Sequence, residues 1–306
     1  MSKIPVLGTV SRAYGFLLGE FGTILRLAWA PLLLGAAVSY FYGGPAIDAT
    51  IDAYANPSAA AAYAPVQLLI GVVGFVTGIM AEVALLRVVV FGDRMPGLFV
   101  YLWLGGGEFR LIIVTMLLGI AVIAGSIAAG LVFGILAALS AAIPVIGVVV
   151  AIGLIVVVCV AIWAALRLAL IAPVVVGEHS LGVERSWEIT RGNALHILGV
   201  LLLTFAPLFI LSVVIFFAVL GGDTPALPHF PDLTPGEGAS AAASSKAAAE
   251  AFAKDVERWQ IDLLKAMRPH WLTFSVLNFF GNLISTALWA GALGSAYVAL
   301  VGERKA

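Results

Sequence analysis

Six long apolar stretches constrain this sequence more than any other feature. A helix that crosses the hydrocarbon core of a bilayer needs about 20 mostly apolar residues, and six segments approach or exceed that length. They cover residues 27–42, 66–91, 111–139, 145–176, 194–220 and 272–301. The sequence therefore predicts an all-α fold, a polytopic transmembrane helical bundle of about six spans.

The composition excludes a water-soluble alternative. Only 11% of the 306 residues are charged, 62% are hydrophobic, and the mean hydropathy is +1.11. Soluble domains are about 25% charged, so this chain lacks the polar residues to cover its own surface. The net charge of −1 also argues against a nucleic-acid partner, because binding to phosphates requires a basic face.

The distribution of Lys and Arg predicts the orientation. Alternate connections carry the basic residues Lys3, Arg12, Arg26, Arg87, Arg94, Arg110, Arg185, Arg191, Arg304 and Lys305. The short connections on the other side, 43–64 and 140–144, contain no Lys or Arg. Basic residues favour the cytoplasmic side, so both termini are expected in the cytoplasm, with 1–306 as a single integral membrane domain.

The connection 221–270 is expected on the opposite, extracytoplasmic side. Its first part, 221–238, is rich in proline and indicates an extended tether. Its second part, 239–267, has apolar residues at helical spacing: Phe252, Val256, Trp259, Leu263 and Met267. This predicts an amphipathic helix that lies on the outer leaflet, on the bundle or on a partner. The segment before the first span predicts a second amphipathic helix at the cytoplasmic interface.

Ionisable and amide side chains within spans are candidates for function. Glu82 is the deepest of them, and Arg167 is a candidate partner in another span. The alternative is that Arg167 extends to the interface while Glu82 bonds another neighbour. Asn278 and Asn282, one helical turn apart, either join helices or continue a polar path.

Signatures of catalysis and of cofactor or metal binding are missing from the sequence. The four histidines lie far apart, and no pair has the spacing of metal ligands. The glycines at 105–107 are not followed by the Gly-Lys-Ser/Thr of a phosphate loop. We therefore expect no metal, no cofactor and no enzymatic activity. An intramembrane enzyme is the third interpretation, after the non-enzymatic membrane protein and the transporter described below.

Small residues recur every four positions in the third predicted span, at Ser126, Gly130, Gly134 and Ala138. Such stripes let helices approach closely. They predict close packing within the bundle or self-association.

The polar stretch GEHSLGVERSWEITRG, residues 177–192, lies between two long apolar runs. It predicts a cytoplasmic helix over 181–191 with Ser180 as its N-cap. Trp187 is expected in the headgroup region, and Arg185 and Arg191 are expected to face anionic lipid. The alternative is a re-entry loop that pins the ends of the neighbouring helices.

The run APVVVGEHSLGVERSWEITRGNALHILGVLLL is similar to the signature of a bacterial family. This family includes the membrane domain of some glycerophosphoryl diester phosphodiesterases and stand-alone six-span inner-membrane proteins. The matching residues are Ala172, Pro173, Glu178, Arg185, Ser186, Trp187, Thr190 and Gly192, with Arg191 inside the Thr-x-Gly element. The ending ALGSAYVALVGE also fits. No phosphodiesterase domain accompanies the stretch, so the resemblance implies a location and a fold rather than a hydrolase.

These observations predict a non-enzymatic protein of the bacterial inner membrane, in envelope or lipid homeostasis or as an accessory membrane domain. The alternative is a small-molecule or lipid transporter or channel with a polar path through Glu82, Arg167, Asn278 and Asn282. The expected partners are membrane lipids and, through the small-residue faces, a protein partner or a second copy of the chain.

Overall fold

The computed structural model describes residues 3–95, 99–140, 143–228 and 239–302. These residues form helices and contain no β-strand, which confirms the all-α prediction. The helices are α1 (Val6–Gly19), α2 (Phe21–Ala55), α3 (Pro57–Phe91), α4 (Gly106–Ser140), α5 (Pro144–Leu168), α6 (Ile171–Glu178), α7 (Val183–Ile189), α8 (Ala194–Leu220), α9 (Ala239–Met267) and α10 (Trp271–Val301). A 3₁₀ turn, Gly221–Asp223, follows α8.

Six segments of the described chain are long and apolar enough to cross a membrane. They are Phe21–Tyr54, Ala61–Phe91, Gly106–Leu139, Val145–Glu178, Ala194–Asp223 and Trp271–Val301. The chain is therefore a multi-pass membrane protein. Each segment has 30 to 34 residues, or about 45–50 Å at 1.5 Å per residue, so it must tilt or project beyond a hydrocarbon core of about 30 Å.

The described chain divides into two compact units. The first contains Met1–Leu32, Phe75–Leu208 and Asn282–Ala306, and the second contains Leu33–Gly74 and Phe209–Gly281. Helices α2, α3, α8 and α10 each contribute residues to both. The sequence-based assignment of 1–306 to a single domain stays a prediction.

Helix α1 is part of the core of the first unit. Ala13 is fully buried, and a Cβ on Gly291 of α10 would lie 3.1 Å from the Ala13 Cα. The Tyr14 hydroxyl donates to the Thr204 carbonyl of α8 at 2.8 Å, and the Ile4 amide donates to Asn193 Oδ1 at 3.1 Å. The apolar face of α1 is thus half-buried against protein at Val6, Val10, Tyr14 and Leu17, while Leu18 is exposed.

Proline interrupts the fourth predicted span. The sequence predicts a continuous helix over 145–176, whereas α5 ends at Leu168 and α6 begins at Ile171. Pro173 lacks an amide hydrogen, and its ring clashes with the carbonyl of the residue four positions earlier, which is Ala169. The break follows from this clash and leaves the last carbonyls of α5 without helical partners.

In the second unit, α2 continues beyond its predicted end at residue 42 because the following glycines are used for packing. A Cβ on Gly43 would lie 2.3 Å from Cζ2 of Trp271, so only glycine fits beneath this indole. Arg268 makes a two-pronged contact with Asp48, with distances of 2.8 and 2.9 Å. The extended α2 is therefore held by the start of α10.

The amphipathic helix predicted over 239–267 forms as α9. Its apolar stripe is half-buried while most neighbouring positions are exposed. Gln260 of α9 accepts a hydrogen bond from the Tyr54 hydroxyl of α2 at 2.8 Å, so α9 packs on helix α2 of its own unit. Of the predicted tether 221–238, residues 229–238 lie outside the described part of the chain.

The predicted small-residue stripe of α4 is exposed. A Cβ built at Gly130 or Gly134 would meet nothing within 4 Å. The expectation that this stripe packs within the bundle is therefore wrong for the described chain, because no neighbouring helix covers this face. Self-association through it stays a prediction.

Candidate functional site

An apolar cavity of about 410 Å³ lies within the first unit. Six helices and the break after α5 supply its walls, which consist of Glu82, Leu111, Thr115, Leu118, Ile162, Ala165, Leu166, Leu168, Ala169, Ile171, Ala172, Leu201 and Trp289. The lining side chains consist of carbon and hydrogen only, except for Glu82, Thr115 and the indole nitrogen of Trp289. The cavity is therefore suited to a hydrocarbon group with a few polar atoms at its wall.

Glu82 is the one ionisable residue in this cavity. Its carboxylate accepts a hydrogen bond of 3.0 Å from the indole nitrogen of Trp289, a group that can only donate. Trp289 is itself positioned by Phe205, whose ring centroid lies 5.9 Å away. This bond satisfies one oxygen of a carboxylate that would otherwise be costly inside a membrane.

A second, polar pocket of about 370 Å³ lies in the same unit. It is formed where α3 ends, α4 begins and α6 ends, and its walls are Val83, Arg87, Phe91, Asp93, Gly106, Gly107, Arg110, Val176 and His179. Two guanidinium groups and one imidazole thus face one carboxylate. We call it the basic pocket.

The wall of the basic pocket is fixed by a fully buried carboxylate behind it. Glu108 accepts hydrogen bonds from the Tyr101 hydroxyl and, at 3.0 Å, from the Gly105 amide, and it pairs with Arg87 at 3.8 Å. The amide contact caps the first turn of α4, as an acid at this helix position does in a capping box. Burial and the contact with Glu108 raise the pKa of Tyr101, which keeps its phenol protonated as a donor.

Arg167 makes neither the predicted pair with Glu82 nor any other ion pair among the described residues. Its guanidinium lies over the ring of Trp187, 4.8 Å from the centroid, and 5.7 Å from that of Trp163. Such stacking is favourable for a cation. It also places Trp187 against the end of α5.

The hydroxyls of Ser186 and Thr190 bond to a backbone carbonyl at the break between α5 and α6. The Ser186 hydroxyl donates to the Arg167 carbonyl at 3.1 Å, and the Thr190 hydroxyl shares its one hydrogen between this carbonyl, at 2.9 Å, and the Ser186 carbonyl, at 2.7 Å. This carbonyl belongs to the last turn of α5, where helical partners run out. The polar stretch therefore closes the end of the interrupted helix, and we refer to Arg167, Trp187, Ser186 and Thr190 together as the helix clasp.

Three charged residues of the stretch, Arg185, Glu178 and Glu188, bond to one another. Arg185 Nε lies 3.3 Å from Glu178 Oε1, and its Nη1 lies 3.4 Å from Glu188 Oε2. Burial opposes the charge of Arg185, but the contacts with Glu178 and Glu188 outweigh it and raise the pKa of Arg185. The Tyr297 hydroxyl donates to the same Glu178 oxygen at 3.3 Å, which ties α6 to α10.

The helix predicted over 181–191 is shorter in the structure. It spans Val183–Ile189, and its N-cap is Gly182 with a φ of +74° rather than Ser180. A Cβ at Gly182 would lie 3.2 Å from Val174, so the close turn over α6 favours glycine here. Arg191 is exposed, and Gly192 ends the stretch with a φ of +77°.

Of the four residues predicted to form a polar path, only Glu82 lines the apolar cavity. Arg167 belongs to the helix clasp, and Asn278 falls in the second unit while Asn282 falls in the first. Both asparagines make interactions in the structure. Neither the bond from Trp289 nor the grouping of Arg87, Arg110 and His179 was predicted, because the only signal in the sequence was a basic side chain near the end of a span.

No family model, curated protein or solved structure matches this chain. Within the described ranges, no three His, Cys, Asp or Glu side chains converge as metal ligands would. The candidate site therefore consists of the apolar cavity, the basic pocket and the helix clasp.

Proposed function

We propose that this chain is a non-enzymatic protein of the bacterial inner membrane that acts in envelope lipid homeostasis by holding a lipid, either alone or as an accessory membrane domain. The observation that carries the proposal is the apolar cavity of about 410 Å³ whose walls include Glu82 and Trp289. Apolar pockets with a few fixed polar groups are typical of ligand sites, and within a bilayer the abundant apolar ligand is lipid.

The proposed location follows from the sequence. The signature around Arg185, Ser186, Trp187 and Thr190 resembles that of the inner-membrane family named above. The bias of Lys and Arg favours a cytoplasmic location for both termini, and membrane lipids are the proposed main partners. The basic pocket and the helix clasp would then lie at the cytoplasmic face.

The proposal is tested by filling the cavity in living cells. Ala165 lines the cavity, so Ala165→Trp should occupy it, whereas Ala151→Trp, at an exposed position of the same helix that does not line the cavity, serves as the control. Membrane lipid composition is measured in cells that lack the chain and in cells complemented with each variant. We expect the composition to change on deletion and to be restored by the wild type and Ala151→Trp only. An unchanged membrane lipid composition in cells that lack the chain would contradict the proposal.

A transporter is the second candidate, and it is favoured by one observation. Glu82 is only half-buried and faces a cavity within a span, as a coupling carboxylate would. Glu82→Gln keeps the volume and an acceptor oxygen for Trp289 while removing the charge. Normal abundance with lost flux in proteoliposomes would favour the transporter, while unaffected lipid composition in cells carrying Glu82→Gln would favour the lipid-holding protein.

A further inference from the structure

The apolar cavity and the basic pocket lie along the same helices. On α4, Gly107 lines the basic pocket and Leu111, Thr115 and Leu118 line the cavity, at intervals of four, four and three residues. Residues with this spacing share one face of a helix. The stripe from Gly107 to Leu118 covers about 16 Å at 1.5 Å per residue.

Helices α3 and α6 repeat the arrangement. Val176 of α6 lines the basic pocket, and Ala172, one turn earlier, lines the apolar cavity. On α3 the neighbours Val83 and Glu82 face the basic pocket and the cavity, respectively. Three helices therefore line both pockets, with the basic pocket before the cavity along α4 and after it along α3 and α6, which suits a site for an amphipathic molecule.

The two arginines of the basic pocket converge on one turn of α4. A Cβ on Gly106 would lie 3.8 Å from Arg110 Nη2, and one on Gly107 would lie 3.7 Å from Arg87 Nη2. Both residues are glycine, so this wall has no side chain and leaves space beside the guanidinium groups. Guanidinium forks match the oxygens of a phosphate.

The acids near the pocket compete with a ligand for Arg87, through a long ion pair with Glu108, but not for Arg110. Glu108 is turned toward Tyr101 and the Gly105 amide, and it lies 3.8 Å from Arg87, which is beyond hydrogen-bond range. Asp93 accepts the Met95 amide at 3.1 Å. Among the described residues Arg110 has no acidic partner within 4.0 Å.

We propose that the two pockets form one site for a single anionic glycerophospholipid, with its phosphate between Arg87 and Arg110 and an acyl chain in the apolar cavity. The proposal rests on the lipid-holding function and names its ligand class. His179 lies at the rim of the basic pocket, where it can donate to the headgroup. Trp289 and Glu82 lie at the wall of the acyl-chain end.

The test measures binding of defined probes to the full chain in detergent by native mass spectrometry. The probes are phosphatidylglycerol, phosphatidylcholine with the same chains, and glycerol 3-phosphate, which carries the phosphate without a chain. Arg110→Ala removes one phosphate donor without leaving an acid unpaired, whereas loss of Arg87 would strand the buried Glu108. Arg12→Ala, at an exposed position of α1, is the matched control.

We expect phosphatidylglycerol to bind best, and Arg110→Ala to weaken it by about tenfold, or about 1.4 kcal/mol, with Arg12→Ala unchanged. Ala165→Trp should also weaken it, and glycerol 3-phosphate should not compete. Equal binding to wild type and Arg110→Ala overturns the proposal, yet leaves a lipid-holding function intact if Ala165→Trp still weakens binding. If glycerol 3-phosphate binds tightly and Ala165→Trp does not change its binding, the basic pocket is instead a site for a water-soluble phosphate ester. This result also overturns the proposal.

Discussion

Gly177 of α6 lies directly against Tyr297 of α10. A Cβ built on Gly177 would be 2.7 Å from the Tyr297 hydroxyl oxygen and 3.0 Å from its Cε1 and Cζ atoms. Tyr297 is fully buried, and its hydroxyl donates to Glu178, the neighbour of Gly177. The two helices therefore approach at a distance that only glycine permits, and this contact holds α6 in place beside the basic pocket.

Gly177→Ala should accordingly destabilise the protein. Tyr297 has no space to withdraw into, and overpacking of this kind costs about 1–3 kcal/mol. Thermal unfolding in detergent measures the effect. Gly130→Ala is the control because its Cβ would meet nothing within 4 Å; equal midpoints for the two variants would contradict the close contact.

The helix clasp should hold the polar stretch more firmly than lipid contact does. Ser186→Ala with Thr190→Val removes both hydroxyls that donate to the Arg167 carbonyl, at about 1 kcal/mol for each bond. Limited proteolysis from the cytoplasmic side of inside-out vesicles should then cut between residues 178 and 192. Arg191→Glu, at an exposed position, should remain protected; the reverse pattern would show that anionic lipid holds the stretch, as the sequence alone predicted.

The pair of Glu20 and Arg94 should make the stability of the folded protein fall at acidic pH. Hydrogen bonds from Arg94, the shortest of 2.5 Å, hold the pKa of the Glu20 carboxyl below its ordinary value. A carboxyl with a lowered pKa in the folded state stabilises at neutral pH, and this contribution is lost as pH falls through that pKa. Glu20→Gln should therefore flatten the decline of the unfolding midpoint below about pH 4.5, while an identical decline in both proteins would rule out the pair as its cause.

The helical membrane fold could be predicted from the sequence because the length of an apolar segment depends on that segment alone. The break after α5 could not be predicted in this way. Pro173 was visible, but the groups that bond the released carbonyl of Arg167 lie 19 and 23 residues further along, at Ser186 and Thr190. The sequence alone predicted either that the polar stretch contacts lipid or that it pins the ends of the neighbouring helices, and it did not predict the bonds to Arg167.

The candidate site was less predictable because its partners are distant in sequence. Glu82 was identified from its position inside a span, yet its hydrogen-bond donor Trp289 is 207 residues away. Nothing in the sequence around a tryptophan in a span indicates that it donates to a distant carboxylate. Arg87 and Arg110 served only to orient the helices. Their convergence on Gly106 and Gly107 depends on how α3 packs beside the start of α4, which spacing alone does not reveal.

The orientation is tested by reporter fusions at defined positions. Fusions after residues 58, 142 and 245 should be active in the periplasm, and those after residues 95, 185 and 306 in the cytoplasm. The fusion at 245 is the most informative, because the connection 221–270 carries five Lys and Arg residues and is expected to translocate regardless of charge. A cytoplasmic signal there would contradict the six-span topology.

The most direct test of the lipid-holding site is photocrosslinking with a phospholipid that carries a diazirine in its acyl chain. In membranes that contain the full chain, adducts should concentrate on the cavity-lining parts of α4 and α5, at Leu111–Leu118 and Ile162–Ala169. Ala165→Trp should abolish this concentration, while Ala151→Trp should not. Adducts spread evenly over the exposed faces of α4 and α5, and unchanged by Ala165→Trp, would contradict the assignment of the cavity to lipid.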